Sequence, residues 1–220
     1  MHIKEIKLQT AVPEDLAFFY GETLGLNVAA VAETIQVHTS FSKLIFTKTN
    51  DNSEPYYHFA FNIPSNKIME AFEWMNDKAT VLWIKEYNDY IADFNNWNAK
   101  SIYFLDPAGN IVEFISRFDL NDNSFESFSS SSIISVSEIG LVFPTDSIEK
   151  NVDQILFDYS LSYFNKQGPL PQFKAIGNDN GLLICVPEER NWFPTENRPA
   201  HIFPLEIIIT QENREFIYKN

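Results

Sequence analysis

The sequence predicts an α+β fold assembled from repeated βαβββ modules, and three observations carry that expectation. Strand and helix patterns recur in one order, residues 103–114 join two apolar strands through a tight turn, and the opening strand and helix return late in the chain. Residues 3–10 alternate as a half-buried strand does. Pro13, Glu14 and Asp15 then open a helix, with proline near its first turn and two carboxylates at the positive end of its dipole, and Gly25 ends it. Strands are expected at 27–32, 34–39 and 43–48, before the polar run 49–53 closes the first module. The order repeats as a strand at 57–63, a helix from 65 through 75, a strand at 80–86 and the terminal hairpin. A third copy follows the polar run 121–123. There Glu138-Ile139-Gly140-Leu141 matches Glu5-Ile6-Lys7-Leu8, and each is followed by a proline-containing turn and an acidic helix start. The serine-rich 124–132 reads as a linker or exposed loop, and strands are expected at 172–176, 182–186 and 205–210. The expected division is a complete two-module domain over 1–118, a linker over 119–132, and a degenerate, truncated second domain over 133–220.

Of 220 residues, 45% are hydrophobic and 15% aromatic, enough apolar side chains to bury a substantial core. Acidic residues number 30 against 16 basic ones, a net charge of -14, which argues against nucleic acid or an anionic membrane surface as partner because both require basic patches. No apolar run reaches the length of a bilayer span, and the first residues lack the basic and apolar regions of a secretory signal, so the expected compartment is the cytoplasm. The single cysteine, Cys185, excludes an intrachain disulfide. Its neighbours Ile184 and Val186 make it read as a buried structural thiol.

Glu113 is the residue that needs explaining. Asp106-Pro107-Ala108-Gly109-Asn110 is turn chemistry, since proline presets a negative φ, glycine supplies a positive one, and Asp and Asn bond back onto the local backbone. Alternation past that turn sets Ile111, Glu113 and Ile115 on one face, where an unpaired charge is costly; such a carboxylate wants a cation. On the first strand Glu5 shares a face with Lys7 and Gln9. On the strand at 57–63, His58 shares a face with Ala60 and Asn62, and Phe59, Phe61 and Ile63 point the other way.

The helix motif Phe18-Phe19-Tyr20 followed by Leu24-Gly25-Leu26, the hairpin from Tyr103 to Phe114 and the repeated modules together resemble the vicinal oxygen chelate superfamily. That superfamily includes glyoxalase I, extradiol dioxygenases, fosfomycin-resistance enzymes and bleomycin-resistance proteins. The resemblance covers 1–118 and, in degenerate form, 133–210. It implies cupped mixed sheets of the glyoxalase/bleomycin resistance/dioxygenase kind, with a divalent metal on the concave face held by Glu5, His58 and Glu113. It implies a metal-dependent lyase-, isomerase- or dioxygenase-like enzyme whose small-molecule substrate chelates the metal through neighbouring oxygens, and modules that assemble across a homodimer. Two carboxylates and one imidazole are a hard donor set, which favours Fe, Mn or Mg over Zn or Ni. Lys7 and Tyr103 are the expected acid, base or orienting groups, and Gln9, Trp97 and Tyr103 the expected substrate contacts. The glyoxalase-like fourth ligand position falls near Ile45 or Phe46, and neither side chain binds metal, so glyoxalase I chemistry is disfavoured.

Each residue also has a plainer reading. Glu5 can pair with Lys7 in solvent, His58 can be a satisfied structural histidine, and Glu113 can bond to the Tyr103 hydroxyl. Trp74, Trp83 and Trp97 read as core or cavity wall. The competing function is a metal-free small-molecule-binding protein resembling bleomycin-resistance proteins, in which an acidic, aromatic-walled cavity holds a cationic or planar compound.

Overall fold

The computed structural model describes residues 1–212 and 214–220. In the first module, the alternation of β1 (His2–Thr10) buries Ile6 and Leu8 in the same core as Leu16 of α1 (Pro13–Phe18). The helix runs on into a π-helical turn, Phe19–Thr23, and stops at Gly25, whose φ of 69° is one that glycine adopts without strain. Strands β2 (Asn27–Val31), β3 (Thr34–His38) and β4 (Lys43–Lys48) follow, and β4 returns parallel to β1 with Lys43 opposite Glu5.

The second module comprises β5 (His58–Ile63), α2 (Ile68–Asn76), β6 (Ala92–Phe94), β7 (Ala99–Leu105) and β8 (Ile111–Arg117). Its helix starts three residues later than the expected 65. Pro64 to Lys67 form a turn closed by the Lys67 amide on the Pro64 carbonyl at 2.9 Å, and Asp122 and Asn123 bond to Ser65 at 2.9 Å each. The polar run after β8 therefore ties down the helix entry. The expected strand at 80–86 is reduced to bridges at Val81 and Ile84, because the chain reverses at 85–88 and β6 takes the place beside β7.

The third module is β9 (Ser135–Phe143), α3 (Ile148–Asp158), β10 (Lys174–Asn178) and β11 (Gly181–Pro187), with β11 parallel to β9 as β8 is to β5. A hairpin of β12 (Leu205–Gln211) and β13 (Arg214–Lys219) follows. All 13 strands of the described residues belong to one sheet, whose main path runs β2-β3-β4-β1-β9-β5-β8-β7-β6.

β1 and β5, the first strands of modules one and two, are not neighbours in that path. β9 lies between them: it pairs antiparallel with β5, and β1 pairs antiparallel with β12. Modules two and three thus form one cup, and module one forms its own partnership with the C-terminal hairpin. No helix of the described residues is long and apolar enough to cross a membrane.

The β7–β8 turn is built around Asp106, which is buried. Its carboxylate accepts from the amides of Ala108 and Asn110 at 3.0 Å, from Asn110 Nδ2 at 2.8 Å and from the Tyr20 hydroxyl at 2.8 Å, locking α1's extension onto the hairpin. Burial nevertheless pushes its pKa up to about 6. Removing the acceptor orphans several buried donors, so Asp106→Ala is expected to lower stability by about 3 kcal/mol in denaturant titration, a loss that Asp106→Asn reduces only in part.

Candidate functional site

Strand register creates the site. Ala60 of β5 pairs with Glu113 of β8 on one side and with Glu138 of β9 on the other. Two carboxylates from neighbouring strands therefore lean over a methyl group, and His58, two residues before Ala60, projects from the same face. Ligand atoms of His58, Glu113 and Glu138 lie within 4.8 Å of one another, and all three residues are buried.

His58 is oriented by its backbone surroundings. Nδ1 lies 3.0 Å from the Ile111 carbonyl, which can only accept, so Nδ1 carries the proton and the Nε2 lone pair faces Glu113 at 3.7 Å. Burial lowers the imidazole pKa to about 4, keeping the ring neutral. Glu113 moves the opposite way: burial first, then the nearby Glu138, raise it to about 8, against the hydroxyls of Ser101 and Tyr103 and the charge of Arg117. Glu138 is also raised by burial, although Arg117 Nη2 donates to its Oε1. Arg117 is fully buried, donates from Nε to Ser137 Oγ at 3.2 Å, and lies 3.6 Å from Asp179. The buried Glu138 and the half-buried Asp179 thus share one buried guanidinium.

These groups open into a cavity of about 240 Å³, walled by Phe94, Trp97, Tyr103, Phe173, Trp192 and Phe193 and also lined by Gln167, Ile184 and Arg190. The segment 188–200 roofs it. Arg198 pins that segment to the β7–β8 turn by donating to Gly109 O at 3.0 Å, Tyr56 donates to Pro199 O at 2.6 Å, and the Ala200 amide to Arg190 O at 2.8 Å. Trp192 reaches over His58 with ring centroids 5.1 Å apart, and it fits because residue 140 is glycine: a Cβ there would sit 2.4 Å from Trp192 Cη2.

His58, Glu113, Tyr103 and Trp97 all line this one chamber. Glu5 does not join them. It is held by Lys43 at 2.6 Å and lies 3.6 Å from Lys7, while Lys7 bonds to Glu206; β9 separates that charged patch from β5. Gln9 sits on the same strand, its amide accepted by the Tyr57 hydroxyl, and it does not line the cavity. The place expected for Glu5 is taken by its repeat counterpart Glu138. In the same register the third module's counterpart of Glu113 is Ile184, so the apolar fourth position is there, not at Ile45 or Phe46. Trp83 is about half exposed and meets Tyr90 edge-to-face at the surface. Cys185 is buried, its thiol pushed up to about 12.

The architecture has counterparts among solved structures. A protein from Bacillus subtilis provisionally named as a dioxygenase aligns at 14% identity over 84% of this chain and 63% of its own, with a TM-score of 0.56. This chain has the vicinal oxygen chelate fold. Half-chain likenesses include the lactoylglutathione lyase of Agrobacterium tumefaciens (20% identity, 51% of this chain, 90% of that one, TM-score 0.40) and a glyoxalase/bleomycin resistance protein/dioxygenase from Nocardioides (20%, 52%, 82%, 0.41). The chain spans 63% of the Bacillus protein's length. No protein-family model and no curated protein matches the sequence.

Within this fold the donor set fits a hard divalent cation. It offers one neutral imidazole with its lone pair free and two carboxylates, of which Arg117 neutralises one. Two predictions follow from the geometry. Folded, Glu113 keeps a proton to about pH 8 that the unfolded chain releases near 4.5, so without metal its contribution to stability falls as pH rises through that interval. The difference in Tm between wild type and Glu113→Gln should therefore grow between pH 6.5 and 8.5, to the disadvantage of wild type. Gly140→Ala should expel Trp192 from the roof, read as a red shift in tryptophan emission with a loss of about 1–3 kcal/mol.

Proposed function

We propose that the protein is a metal-dependent enzyme of the vicinal oxygen chelate type, acting on a small molecule that binds a divalent ion through neighbouring oxygens. The observation that carries this reading is the convergence of His58 Nε2 with the Glu113 and Glu138 carboxylates beneath an aromatic chamber. Ile184 at the fourth position donates nothing, so a three-residue set leaves coordination positions for substrate. A bound Fe(II), Mn or Mg ion supplies Lewis acidity toward the substrate oxygens.

The protein's own groups have separable tasks. Arg117 holds Glu138 in place and favours its ionised form, and the Ile111 carbonyl fixes the His58 tautomer. The Tyr103 hydroxyl, beside Glu113, is kept protonated by burial and by that carboxylate, so it donates to a substrate oxygen or returns a proton to it. Trp192 and Phe193 keep water away from that exchange. Lys7 has no part, being committed to Glu206 on another strand pair.

A second reading is a metal-free binding protein, favoured by the six aromatic side chains around the cavity and by the guanidinium already bonded to Glu138. Elemental analysis separates the two. Protein purified without chelators is expected to hold about one divalent ion per chain. His58→Ala, Glu113→Ala and Glu138→Ala should each lose it, whereas Glu5→Ala should retain it. Equal, negligible metal in wild type and Glu113→Ala sinks the enzyme reading in favour of the binding protein.

A further inference from the structure

The chamber contains a second charged group that the metal-binding residues do not use. Arg190, on the roof segment, lines the cavity beside Trp192 and Phe193, and its guanidinium lies over the Phe173 ring at 5.5 Å. Arg190 is half-buried, and the fully buried cations each meet a carboxylate: Arg117 with Glu138, Lys67 with Glu70 at 2.6 Å, and Lys174 with Glu149 at 2.7 Å. Among the described residues Arg190 meets none within 4.0 Å. Its guanidinium makes one hydrogen bond to protein among the described residues, from Nη1 to the neighbouring Asn191 carbonyl at 3.3 Å. The carboxylate next to it in sequence, Glu189, turns away to His201 at 3.5 Å. A guanidinium held against an aromatic wall with most of its donors unspent presents a planar fork, which matches a carboxylate.

Size and charge narrow the ligand. A dry apolar cavity of about 150 Å³ takes benzene, so 240 Å³ accommodates one substituted ring. The aromatic walls suit a flat face. Arg117 is spent on Glu138 and Asp179, so among the described residues Arg190 is the cavity-lining cation left without a carboxylate, inside a chain of net charge -14. We infer that the chamber takes a single-ring aromatic carboxylate and that Arg190 receives its carboxylate group. The inference rests on the reading of this cavity as the ligand site and adds the class of ligand.

Calorimetric titration with benzoate and its neutral isostere benzamide tests it, on chelator-treated and on Mn-loaded protein. Benzoate is expected to bind wild type at least about tenfold more tightly than benzamide, the worth of one charge-assisted bidentate contact. Arg190→Met should abolish the preference, and Arg190→Lys, which keeps the charge but not the fork, should retain part of it. Equal affinity for the two probes in wild type, binding of neither, or a preference that survives Arg190→Met overturns the inference. Should Arg190→Met fail to fold, an undiminished preference in Arg190→Lys counts against the fork. A benzoate preference in protein that takes up no Mn sustains the inference and removes the metal reading; Mn uptake with no preference does the reverse.

Discussion

The antiparallel pairing of β9 with β5 is the constraint on which the site depends. It sets Glu138 against Ala60 on one edge of β5 while the parallel pairing of β8 sets Glu113 against Ala60 on the other. Adjacent strands are separated by about 4.8 Å, so carboxylates from β8 and β9 meet only if the residue between them is small. Ala60 meets that condition. A larger side chain there would fill the floor of the chamber and part the two acids.

Bringing two acids together in a buried place is unfavourable, and the surrounding structure reflects it. Arg117, fully buried two turns of the pleat beyond Glu113, reaches across to Glu138, and Asp179 stands behind the guanidinium with Lys166 at 2.7 Å behind that. The opposite displacements of His58 and Glu113 come from the same desolvation, which disfavours whichever form carries charge. A neutral imidazole and a carboxyl slow to ionise form a cluster waiting for a cation, and the hydrogen bond from His58 to Ile111 has already chosen the nitrogen that would bind it.

Much of this was legible in the sequence. The hairpin at 103–114 and its turn, the alternation that puts Glu113 and His58 on cavity faces, and the recurrence of the Glu-Ile-x-Leu strand near residue 138 all rest on local rules of period and turn chemistry. Glu138 was visible as the repeat partner of Glu5. Modules adjacent in sequence are the natural pair, and nothing local to β1 or β9 states which of them lies beside β5. Residues 188–200 carried even less signal, since Arg190 and Trp192 lie on an irregular segment without periodicity. Gly140, the position that admits Trp192, looked like any strand glycine.

Composition, alternation and turn residues determined that this chain builds repeated βαβββ modules and that His58 and Glu113 face inward, because each of those properties depends on residues a few positions apart. Which modules join, which glutamate completes the trio and what roofs the cavity were decided only by tertiary structure. Those outcomes turn on edge-to-edge strand pairing and on loop closure between segments far apart in sequence, where backbone hydrogen bonds are alike for any pair of edges and the choice falls to the packing of all three modules at once.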